Sequence, residues 1–137
     1  MIIIGILAAI AIPVFLSQRQ KARDTATKAD VSNAGKELAT FYVDGSSSAV
    51  VTGTISGTTL TLGETASGYS SKIKLSPGTT YAPSATDAVT YQTGTNCVAA
   101  TAWVLALSNS NGSNKTYYFS AQAGLNTTAP VLTAACN

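Results

Sequence analysis

Residues 2–16 read IIIGILAAIAIPVFL, a run with no charge in it. The neighbouring segment decides how the run is read. Residues 19–44 hold nine of the fourteen charges: Arg19, Lys21, Arg23, Asp24, Lys28, Asp30, Lys36, Glu37 and Asp44. From Gly45 onward the chain is rich in Ser, Thr and Gly and keeps only five charges. A membrane-spanning helix needs about 20 apolar residues, so the run as written is short of a full crossing. A secretory signal places its positive charge before the apolar stretch; here Arg19, Lys21 and Arg23 come after it. A buried core helix is the competing reading, but such a helix seldom opens a chain and leads directly into a charged one. The pattern expects three parts: a hydrophobic helical stem over 1–16, an amphipathic helix over 17–44, and a β-sheet domain over 45–137.

Composition narrows the chemistry. At 137 residues and 13.9 kDa the chain suits one domain with an appended helix. Eight basic against six acidic side chains give a net charge of +2. That is too weak to neutralise a run of phosphates, so DNA binding by the isolated domain is not expected. Histidine is absent, which removes the commonest general base and the commonest metal ligand. Two cysteines cannot build a four-cysteine zinc site. The carboxylates are scattered and pair in no evident cleft. No enzyme activity and no cofactor are expected, and the balance favours a structural or surface protein.

Residues 14–43 are expected to be helical: Ala, Lys, Gln, Arg and Leu are common, and Gly and Pro are absent from 14–34. Val31, Ala34, Leu38 and Phe41 recur at three- and four-residue steps, on one face that should pack on the protein's own sheet. Ala22, Ala26 and Ala29 form a second, narrow face. It reads either as plain helix propensity or as room for another helix to approach. Gly35 costs up to about 1 kcal/mol relative to alanine. Pro13 lacks an N–H and is expected to kink or break the helix. Asp44-Gly45 is a stop signal.

The remainder reads as strands: Val50–Leu62, broken by Gly53 and Gly57, then 72–75, 87–93, Val98–Leu107, Thr116–Ala121 and 131–133. The turn formers of 108–114 should close Val98–Leu107 and Thr116–Ala121 into a hairpin. One helix followed only by strands predicts an α+β fold, the helix lying across an antiparallel sheet.

The string Gly5-Ile6-Leu7-Ala8-Ala9-Ile10-Ala11-Ile12-Pro13, within Ile2–Phe15, closely resembles the hydrophobic N-terminal segment of type IV pilins. The charged helix, the linking loop, the strands and the late cysteine come in that family's order, so the resemblance covers the whole length. The Lys-Ala-Arg-Asp opening of the helix looks more like Gram-positive than Gram-negative pilins. The resemblance implies the pilin fold and a structural filament subunit, the major pilin of a type IV pilus. It implies partners that are other copies of the chain, other pilins and the assembly machinery. It places the chain in the membrane before assembly and on the cell surface after it, with adhesion, twitching motility or DNA uptake as filament properties. Ile2, Ile3, Ile4, Gly5, Ile6, Leu7, Ile10, Ile12, Pro13 and Phe15 would form the filament core, and Gly5 to Pro13 would be where the helix unwinds or simply kinks. A basic leader, a methylated N-terminal residue and a nearby glutamate belong to the family and are absent from this sequence, as if about ten residues preceded it.

In an extracytoplasmic chain Cys97 and Cys136 would pair. The bond would close a loop of about 40 residues, worth about 4 kcal/mol on the loop-entropy estimate. Two buried free thiols are the alternative. Three competing functions remain: a type II secretion pseudopilin, a minor pilin, and a monomeric adhesin or carbohydrate-binding module on a membrane stalk. Pseudopilins usually lack the disulfide and carry a calcium site in an acidic loop, whereas Glu64 and Asp87 are the only acids after residue 45.

Overall fold

The computed structural model describes residues 2–45, 47–83, 85–91 and 98–130. The helix α1 runs Ile2–Asp44 without interruption, with Pro13 inside it. The proline therefore does not end the helix, although its ring leaves the Ala9 carbonyl without its i+4 donor. Asp44-Gly45 closes the helix, the Gly45 N–H donating to the Phe41 carbonyl at 2.7 Å.

Two antiparallel sheets come after the helix, where the sequence suggested one. The first is a meander of β1 (Thr52–Ser56), β2 (Thr59–Glu64) and β3 (Tyr69–Lys74) in the order β1-β2-β3. Its β1–β2 turn is made at Gly57, whose φ of 60° suits glycine. The second sheet contains β4 (Thr79–Tyr81), β5 (Val89–Tyr91), β6 (Trp103–Asn109), β7 (Thr116–Ser120) and β8 (Gly124–Asn126). Here β6 is central. It pairs with β7 on one edge, while β4 and β5 share its other edge, β4 at Leu107–Asn109 and β5 at Trp103–Leu105. The expected hairpin is present as β6–β7, but its first strand starts at Trp103, because residues 99–102 form a turn closed by Ala102 N–H on the Val98 carbonyl. The 131–133 strand lies outside the described residues.

The two sheets do not share a ladder; side chains join them. The edge N–H groups of Val51, Gly53 and Ile55 donate to the Tyr91 hydroxyl (2.8 Å), the Asp87 carboxylate (2.8 Å) and the Tyr81 hydroxyl (2.6 Å). The Gly53 carbonyl accepts from Ala88 N–H at 2.9 Å. Between the layers lies one core, with Val51, Leu60, Leu62, Leu75, Trp103, Leu105 and Leu107 buried against the second half of α1.

Candidate functional site

The helix has two halves with opposite surroundings. From Ile2 to Ala22 every residue is exposed. Ile2 is 81% accessible and Leu16 still 53%. The filament-core candidates Ile2, Ile3, Ile4, Gly5, Ile6, Leu7, Ile10, Ile12, Pro13 and Phe15 all lie in this half, and a Cβ at Gly5 would meet nothing within 4 Å. The helix is long and apolar enough to cross a membrane by length and composition, and its apolar window is unburied. Its polar end is a basic collar, in which the Arg19 guanidinium sits 5.7 Å from the Phe15 ring centroid.

Contact with the domain begins at Arg23. Its guanidinium donates to the Asn111 carbonyl at 2.7 Å, and the next residue, Asp24, accepts from the Ser113 N–H and hydroxyl. The β6–β7 turn is thus clasped to the helix, and Gly112 is the residue that allows it, since a Cβ there would strike the Asp24 carboxylate. One turn further on lies a buried polar socket. Asp30 accepts from Ser76 N–H (2.8 Å), the Ser76 hydroxyl (3.2 Å) and the Thr79 hydroxyl (2.9 Å). Thr27 accepts from the Asn109 amide at 3.1 Å. With three donors on it, the buried carboxylate is satisfied without a cation. The Lys28 ammonium lies 5.3 Å from the Tyr117 ring centroid.

Beyond the socket the helix becomes apolar on one face. Val31, Ala34, Leu38 and Phe41 are buried, the first three completely. Gly35 is buried between them, and a Cβ there would overlap the Phe119 ring. What looked like a weak point in the helix is a position where helix and β7 approach too closely to admit a Cβ. The last anchor is Tyr42, whose hydroxyl donates to the Ala49 carbonyl (2.8 Å) and lies 2.7 Å from the Tyr91 hydroxyl. Burial, above all, pushes the Tyr91 hydroxyl's pKa well above the ordinary 10.0. Of the narrow alanine face, Ala22 and Ala29 are exposed and Ala26 is half-buried.

Among the described residues no group of three or more His, Cys, Asp or Glu could hold a metal ion. Cys97 and Cys136 lie outside the described residues. Sequence reasoning missed the socket and the clasp. Asp30, Thr27 and Asp24 have ordinary helix-surface identities, and their partners are at least 46 residues away.

The geometry is a long apolar N-terminal helix packed by its second half on antiparallel sheet, an arrangement compatible with a pilin-like fold. No family model, curated protein or solved structure matches the chain.

Proposed function

We propose that the chain is the structural subunit of a type IV pilus-like surface filament. Residues 2–16 would hold it in the membrane before assembly and pack against the same region of other copies afterwards. The observation that carries this reading is the division of α1. Its more apolar half stands clear of the domain, while the less apolar half is clamped by the clasp, the socket and the Val31–Phe41 face. Ten large apolar side chains from Ile2 to Leu16 are exposed, and each is worth about 1.5–3 kcal/mol on full burial from water. A rigid helix that presents them beyond the domain suits burial among like helices. Adhesion, motility or DNA uptake would then be properties of the filament.

The test is mass spectrometry on filaments sheared from the native host, with the N-terminal peptide sequenced. The expected result is that this chain dominates the filaments, with a processed and methylated terminus upstream of Ile2. Recovery of the chain only as a monomer in the membrane fraction would replace the filament by a stalked module. Membrane-processed chain that never enters filaments would point to a pseudopilin or minor subunit.

A further inference from the structure

The charges of this molecule are sorted along its helix. Where the helix enters the domain, residues 19–28 carry Arg19, Lys21, Arg23 and Lys28 against Asp24. Arg23 is committed to the Asn111 carbonyl and Lys28 lies over the Tyr117 ring. Arg19 and Lys21 are exposed on the part of α1 that the domain does not cover, about 200° apart around it, so positive charge faces both sides.

At the other end the helix finishes against its own dipole. Its last turn has no basic residue and ends in exposed Asp44, although the C-terminus of a helix carries partial negative charge that cations normally offset. Beside it are two open cavities of about 400 and 490 Å3, which share Phe41 and Ser67. Glu37 and Asp44 line the first and Glu64 the second. Glu64 accepts from the Ala66 and Ser67 N–H groups, and its hydrogen bonds to Ser67 and Ala66 hold its carboxyl below the usual range, so it stays ionised. Phe41 and Tyr69, with ring centroids 4.4 Å apart, form an apolar wall for the stem of a long cationic side chain. Lys36 is exposed nearby, about 100° around the helix from Glu37.

We propose that this acidic, aromatic groove receives the Arg19–Lys21 collar of a second copy of the chain. The proposal rests on the filament reading and names the contact that would set how far one copy is displaced along the next. Within one molecule the groups cannot meet. Lys21 and Glu37 are about 24 Å apart along the helix, and Lys21 and Asp44 about 35 Å. Both distances are several times the screening length of about 8 Å at physiological salt. A parallel copy shifted by about 24–35 Å brings them together. The helix inside the domain, residues 23–44, is about 33 Å long, so the Lys21–Asp44 shift stacks one domain on the next end to end, while the Lys21–Glu37 shift leaves neighbouring domains side by side over about 9 Å.

Zero-length carbodiimide cross-linking of the full chain, in filaments assembled from mixed 15N-labelled and unlabelled copies, tests the contact. The expected product joins Lys21 to Glu37 or Asp44 with one labelled and one unlabelled peptide. Alongside it, Lys21→Glu should lower the sedimentable fraction by about tenfold, the scale of one charge-assisted contact, and Lys21→Glu combined with Asp44→Lys should restore it. Both positions are exposed, so both variants should keep the wild-type melting curve. Filaments that form with Lys21 joined elsewhere or to nothing, and a double variant that does not recover, overturn the groove contact and leave the filament reading standing. Failure of the wild-type chain to assemble overturns both.

Discussion

The two halves of α1 invert the usual relation between hydropathy and burial. Residues 2–22 contain the most apolar stretch of the protein, and none of it is buried. Residues 23–44 are charged and mixed, yet Thr27, Asp30, Val31, Ala34, Gly35, Leu38 and Phe41 are inside. Burial within the chain thus depends on the availability of a partner. The second half finds apolar strands and hydrogen-bond donors in the domain. Among the described residues the first half meets no such surface.

The sharpest way to break this contrast is to weaken the anchored half. Leu38→Ala removes a fully buried side chain, and urea unfolding should show a loss of about 2–5 kcal/mol. Asp30→Ala leaves the Ser76 and Thr79 donors without their acceptor; a loss of about 1–3 kcal/mol is expected by the same measurement. Gly35→Ala should cost about 1–3 kcal/mol, because Phe119 must move to admit the methyl group. An unchanged midpoint there would mean that helix and β7 are not in close register.

Tyr91→Phe should cost about 1–2 kcal/mol, since its hydroxyl serves Val51 N–H and C=O and lies against Tyr42. It also has a pH signature. Because the folded pKa is raised, the unfolded chain releases its proton first as pH rises. The stability is therefore full below about pH 10 and is lost above it. Tyr91→Phe should flatten that alkaline limb; an unchanged limb would assign it to other tyrosines. The smallest effect belongs to the free half. Ile6→Ala should change domain stability by less than about 0.5 kcal/mol, while reducing recovery in membrane or sedimentable fractions. A large loss of domain stability would show that the first half is held by its own molecule.

Legibility in the sequence tracked the range of the interactions. Helix periodicity at Val31, Ala34, Leu38 and Phe41 is local, and so is the turn chemistry of 108–114; both could be read directly. The division of the strands into two sheets could not be read. β6 runs Trp-Val-Leu-Ala-Leu-Ser-Asn and is buried on both faces, so it shows no alternation, and two short strands share one of its edges. Short strands such as β4 and β8, three residues each, carry too little pattern to find. Thr27 and Asp30 give no local sign of burial, because nothing near them in sequence announces Ser76, Thr79 or Asn109. The groove beside Phe41 was hidden for the same reason: helix and the 65–68 turn create it together.

The side chains that tie the two sheets have a consequence for crowding. A sheet edge with unpaired N–H groups is a template on which another polypeptide can add a strand, the first step of cross-β aggregation. Along the outer side of β1, Tyr91, Asp87 and Tyr81 already occupy the donors at Val51, Gly53 and Ile55. Domains held shoulder to shoulder at very high local concentration cannot knit together through this edge. Copies brought close for another purpose would keep their sheets separate, and an ordered array would not drift into amyloid along that border.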